Sequence, residues 1–237
     1  MTANRALIES PSSDGIWAWR NRLQDPALSL MLIVQGLIIF VGAPCAAIGY
    51  TGSRIGMELL FLIFALLIIV VSRGPITTSI ATLAMMATLT GAFLTVIAPS
   101  ASTVVLAHAG TITGAIVVAY IVGRAVFGPG MITPHRVLGA IVLYLNFGLL
   151  CTTAYRLIWD LIPNSFSGIA AETSSLQASG TLLYFSFVVL TTVGFGDIVP
   201  IHPVARGLAN LEGIIGQLYP ATLLARLITL ELESRRR

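Results

Sequence analysis

The chain has 237 residues, 56% of them hydrophobic and 10% charged, with a mean hydropathy of +0.92 and a formal net charge of +3. A soluble domain carries about 25% charged residues, so this balance excludes a water-soluble globular enzyme and requires a lipid-facing surface. There is no lysine, and the two cysteines, Cys45 and Cys151, lie inside apolar runs, where they read as small packing residues and not as a disulfide or metal pair.

Residues 1–26 form a polar, charged cytoplasmic leader without an evident cleavable signal peptide. Trp17, Trp19 and Leu23 beside Arg20 and Arg22 suit the headgroup region, so this leader is either an interfacial helix on the inner leaflet or a plain tail. Apolar runs of spanning length then follow at 27–50, 56–72, 76–98, 101–123, 136–159 and 202–231, which predicts an all-α membrane protein of six transmembrane helices. Gly42 and Pro44 are expected to kink the first. Gly74-Pro75 separates the second from the third, Pro99 stops the third, and Arg124 closes the fourth. The expected organisation is the leader, a four-helix unit over 27–124, a linker over 125–135 and a second unit over 136–237.

Arginines orient this map. Arg5, Arg20, Arg22, Arg73, Arg124, Arg136 and Arg235, Arg236 and Arg237 fall on one side, while Arg54, Arg156 and Arg206 fall on the other. The positive-inside rule makes the first group cytoplasmic and places both termini inside, in a plasma membrane of bacterial type. The terminal Arg235, Arg236 and Arg237 either contact anionic lipid, at roughly 1 kcal/mol per charge, or act as a stop-transfer anchor. The fourth segment has none of the intramembrane arginines of a voltage sensor, and His108 is its only ionisable group above Arg124. Glu58 follows Arg54 by four residues, a spacing suited to a surface ion pair. The four-helix unit therefore reads as a sensor-type frame without gating charge.

Between the fifth and sixth segments lie a polar stretch, 163–178, and a short apolar one, 179–190. Twelve helical residues reach about 18 Å, too short for a ~30 Å hydrocarbon core. The loop that follows is Thr191, Thr192, Val193, Gly194, Phe195, Gly196 and Asp197. A short helix followed by a glycine-punctuated loop and a full-length segment reads as a re-entrant pore loop, since irregular backbone at membrane depth must line water or be buried in protein. Glycines at alternate positions permit the positive φ angles that point successive carbonyls one way.

This loop resembles the filter of the tetrameric potassium channel family, with Phe195 where tyrosine is commonest; carbonyl rings built from such loops replace the hydration shell of potassium. The resemblance extends over about 133–237, through Arg136, Leu143-Tyr144-Leu145, Tyr155, Pro163 with Phe166, Leu211-Glu212 and Gly216-Gln217-Leu218-Tyr219. It implies a homotetramer around one pore, with potassium held by the carbonyls of Thr192, Val193, Gly194 and Phe195 and by the Thr192 hydroxyl. Thr191 would cap the pore helix, and Asp197 would place a carboxylate at the mouth. No cofactor is implied beyond the permeant ion. Gly213 and Gly216 are either hinges or close-packing positions, and Pro220 with Leu224 would form part of an inner constriction.

Two departures from the family pattern concern the loop's surroundings. Phe195 lacks a phenol, so Tyr184 and Phe185 offer it packing without a hydrogen bond. Val188 is apolar where some members carry a glutamate, which removes that partner from Asp197. Glu212, an acid inside the last segment, is either directly functional or hydrogen-bonded behind the pore helix. His135, beside Arg136, is a pH-sensing candidate or simply interfacial. Phosphate-binding, metal-binding and nucleophile–base patterns are absent from the sequence, which argues against an enzyme. The rival readings are an ion-coupled secondary transporter, whose second broken helix would have to be at Gly42-Ala43-Pro44, and a non-conducting membrane scaffold of channel-like fold.

Overall fold

The computed structural model describes residues 27–50, 52–72, 74–127, 134–170 and 173–235. The leader with Trp17, Trp19, Leu23 and its arginines, Arg73, most of the linker and the terminal Arg236 and Arg237 lie outside the described residues. So do the side chains of Arg54, Glu58, His135 and Arg235.

Helix α1 runs Ala27–Ala47. Where a kink was expected it contains a π-helical turn, Ile38–Gly42, ending two residues before Pro44, whose ring nitrogen has no hydrogen to donate. Helix α2 is Gly52–Val71 and α3 is Pro75–Ile97. The break between them is Gly74, extended at φ −107° and ψ 149°, followed by Pro75 in the first helical turn. Helix α4, Ala101–Phe127, continues about a turn beyond its expected end, with Arg124 lying along the helix and donating to the Tyr120 hydroxyl at 2.9 Å. Small residues bring α3 and α4 together, Thr88 against Gly110 and Gly91 against Ala107.

Helix α5 is Pro134–Leu161 and reaches back to α4 through Asn146, whose amide donates to the Ala115 carbonyl at 2.9 Å. After it comes β1, Phe166–Ser167, which pairs antiparallel with β2, Val199–Pro200, in the register Phe166–Pro200. Helix α6, Ser175–Leu190, lies between the two strands, and α7, Pro203–Arg235, closes the described chain. The start of α6 is four residues earlier than the apolar run suggested, because Ser174 and Gln177 form a capping box ahead of it. At about 24 Å it remains shorter than a hydrocarbon core.

Four helices, Ala27–Ala47, Pro75–Ile97, Ala101–Phe127 and Arg136–Leu161, are long and apolar enough to cross a membrane. Six were expected. Among the described residues α2 offers only the shorter apolar stretch Leu59–Ile69, and α7 distributes Arg206, Glu212 and Arg226 along its length. One apolar cluster joins α1 through α6, with Met31, Ile38, Val118, Val122, Val142 and Leu183 among its members. A second packs Tyr155, Phe166 and Phe185 edge to face, with ring centroids 5.0 to 5.8 Å apart, behind the loop that follows α6.

Candidate pore loop and its supports

Thr191 ends α6, its amide and hydroxyl both donating to the Phe187 carbonyl at 3.0 and 2.6 Å. The chain then alternates in hand. Thr192, Gly194 and Gly196 have φ of 59°, 62° and 78°. The amides of Thr192, Val193 and Gly194 turn back to the Val189 and Val188 carbonyls at 2.9, 3.0 and 3.4 Å. All described peptides are trans, so the carbonyls on those same peptides, of Thr191, Thr192 and Val193, point away from α6. Every residue from Thr191 to Asp197 is exposed on the single chain, Phe195 at 68%. The sequence marked the two glycines; the left-handed Thr192 had no signal there, since a β-branched residue disfavours that conformation.

The surroundings differ from expectation at Asp197. Tyr184 lies parallel to Phe195, with centroids 6.4 Å apart and planes 5° apart, and its hydroxyl also meets the Asp197 carboxylate. A residue one turn before Val188 thus supplies the partner that Val188 cannot. On the far side, Gly168 passes so close to the Asp197 carbonyl that any side chain there would overlap it.

Three supports hold α6. At its C-terminus the Tyr144 hydroxyl donates to the Leu190 carbonyl at 3.2 Å, and Tyr144 stacks on Tyr219 of α7. Gly216 lies against the same carbonyl, where a methyl group would overlap it, which makes Gly216 a packing position. Gly213 meets nothing within 4 Å on this chain; Pro220 lies inside α7, and Leu224 is 59% exposed. In the middle, buried Glu212 accepts from Tyr155 at 2.7 Å and meets the Ser186 hydroxyl at 2.6 Å, behind α6 and not on the loop's exposed face. At the N-terminus Arg156 donates to the Ser175 carbonyl and hydroxyl at 2.7 and 2.8 Å and forms an ion pair with Asp160 at 2.8 Å. His108 of α4 meets the same carboxylate at 3.0 Å. Sequence reading singled out neither Asp160 nor this cluster; only the Arg156/Asp160 spacing of four signalled it. Arg226 was also missed, although it donates to the Phe127 carbonyl at 2.8 Å and lies over the Phe127 ring, which ties α7 to the end of α4.

Compared with models of known families, residues 149–232 match the ion channel family. This part of the chain is similar to an ion channel domain. The match takes in the C-terminal part of α5, all of α6, the loop and nearly all of α7, and the four apolar helices accord with a multi-pass membrane protein. That similarity accords with ion transport. Comparisons with curated proteins and with solved structures give no match. Among the described residues no group of three or more His, Cys, Asp or Glu side chains could hold a metal ion.

Proposed function

We propose that this protein is a potassium-selective channel in which four copies surround one pore. The observation that carries the reading is the loop's alternation of hand at Thr192, Gly194 and Gly196, with its amides turned to α6. That arrangement directs successive carbonyls to one side, where rings of them from four chains replace the water around a dehydrated cation. Val193 and Phe195 in the loop and Leu211, Ile214 and Leu218 on α7 are more than half exposed on one chain, which supports burial against further copies. The arginine distribution supports cytoplasmic termini in a plasma membrane, with Arg235, Arg236 and Arg237 near anionic lipid. The four-helix unit supports weak or no voltage dependence.

The test is potassium against sodium flux through the purified protein in liposomes, with Gly194→Ala measured alongside. We expect potassium-selective flux that the substitution abolishes, because φ of 62° strains any residue with a Cβ. Flux indifferent to Gly194→Ala would refute the loop as the filter and favour a transporter.

A further inference from the structure

Resting on the channel reading, we propose that Glu212 is held as a neutral carboxylic acid whose proton locks the pore helix α6 to α5, making it a positioning residue for the filter. The argument is a proton count. Tyr155 Oη lies 2.7 Å from Glu212 Oε2, Ser186 Oγ lies 2.6 Å from Glu212 Oε1, and the same Ser186 Oγ lies 2.8 Å from the Gly148 carbonyl oxygen. Three close oxygen–oxygen contacts need three hydrogens, and the two hydroxyls supply two. With an ionised Glu212 the Ser186 proton can serve either the carboxylate or the carbonyl, and the other contact becomes two bare oxygens facing each other in a dry interior. With a proton on Oε1 every contact is satisfied: Tyr155 donates to Oε2, Oε1 donates to Ser186, and Ser186 donates to Gly148.

The neighbouring groups leave that count unchanged, since each brings its own hydrogen. Thr152 donates its hydroxyl to the Gly148 carbonyl at 2.8 Å, and the Cys151 thiol lies against the carboxyl group. Glu212, Ser186 and Tyr155 are fully buried, and among the described residues no arginine or histidine pairs with Glu212. A lone carboxylate in such a place would be costly, whereas a neutral acid with every hydrogen bond made is not. Glu212 touches neither the loop nor a permeating ion. It acts through Ser186, four residues before the last residue of α6.

Glutamine reproduces this pattern without a titratable proton, its carbonyl accepting from Tyr155 and its amide donating to Ser186. The test compares wild type, Glu212→Gln and Glu212→Ala in full-length protein reconstituted in liposomes. Two readouts are taken: the potassium-to-sodium flux ratio and the infrared difference spectrum between wild type and Glu212→Gln. We expect Glu212→Gln to keep the ratio within about twofold and Glu212→Ala to lower it by about tenfold, the order set by losing one buried hydrogen bond. The wild type should show a carboxylic-acid C=O stretch that shifts in heavy water and vanishes in Glu212→Gln. If only carboxylate bands vanish, if Glu212→Gln loses selectivity as Glu212→Ala does, or if Glu212→Ala keeps it, the inference is overturned. Wild-type protein without potassium-selective flux would sink the channel reading instead, and the infrared band would still decide the protonation of Glu212. The band also decides it if Glu212→Ala fails to fold.

Discussion

Thr192 holds φ of 59°, a conformation that costs an L-residue about 1–2 kcal/mol and a β-branched one no less. Three amide bonds to the end of α6 hold the loop in this form. The same kind of local crowding distinguishes two glycines of α7 that look alike in sequence. Gly216 lies against the Leu190 carbonyl, so Gly216→Val must push α7 off α6 and should destabilise the protein by about 1–3 kcal/mol. Gly213 has no neighbour within 4 Å on its own chain, so Gly213→Ala should melt close to wild type. Thermal unfolding of the detergent-solubilised variants checks both; equal losses would mean that the approach at Gly216 does not govern packing. Gly194 and Gly196 were legible in sequence because glycine alone takes positive φ freely, and a spaced pair after a short apolar run leaves few alternatives. Thr192 was not legible, since its conformation runs against its own preference and is imposed by hydrogen bonds made three and four residues back.

Helix α6 is too short to span a membrane and depends on what grips it. Its N-terminus is held by Arg156, which is 9% exposed and bonds both Ser175 oxygens while paired with Asp160. Arg156→Met would remove both bonds to Ser175 and the ion pair with Asp160, leaving that carboxylate only its contact with His108, and should cost about 1–3 kcal/mol. His108→Phe removes a single contact to the same carboxylate, so its loss should be smaller. Unfolding of the two variants would contradict the clamp if His108→Phe were the worse. The reach of such contacts explains which elements were readable. The capping box at Ser174 and Gln177 is local and stood in the sequence, although the apolar run alone started the helix late. The Arg156/Asp160 pair is local too, but its meaning comes from Ser175, 19 residues later, and from His108, 52 residues before Asp160. The turn that carries α4 on to Phe127 likewise depends on distant chain, since Arg226 of α7 meets the Phe127 carbonyl.

Across the whole molecule, charge decides how the proposed channel should respond to membrane potential. Moving one elementary charge through the full field contributes about 2.3 kcal/mol per 100 mV. Helices α3 and α4 carry no arginine from Pro75 to Gly123, and Arg124 sits in the last turn of α4, engaged with the hydroxyl and ring of Tyr120. A tenfold change in open probability over 100 mV requires about 0.6 charge to cross the field, and a tenfold change over 20 mV requires about three. Pro75 to Gly123, with no arginine or lysine, cannot supply three. In a planar bilayer with equal potassium on both sides, steady-state conductance should therefore show no tenfold change within about 20 mV anywhere between −100 and +100 mV. Neutralising Arg124 to Gln should leave that dependence unchanged. A steep activation that flattened in Arg124→Gln would mean that Arg124 leaves Tyr120 and travels through the membrane, and the four-helix unit would then be a sensor with a single charge on each chain.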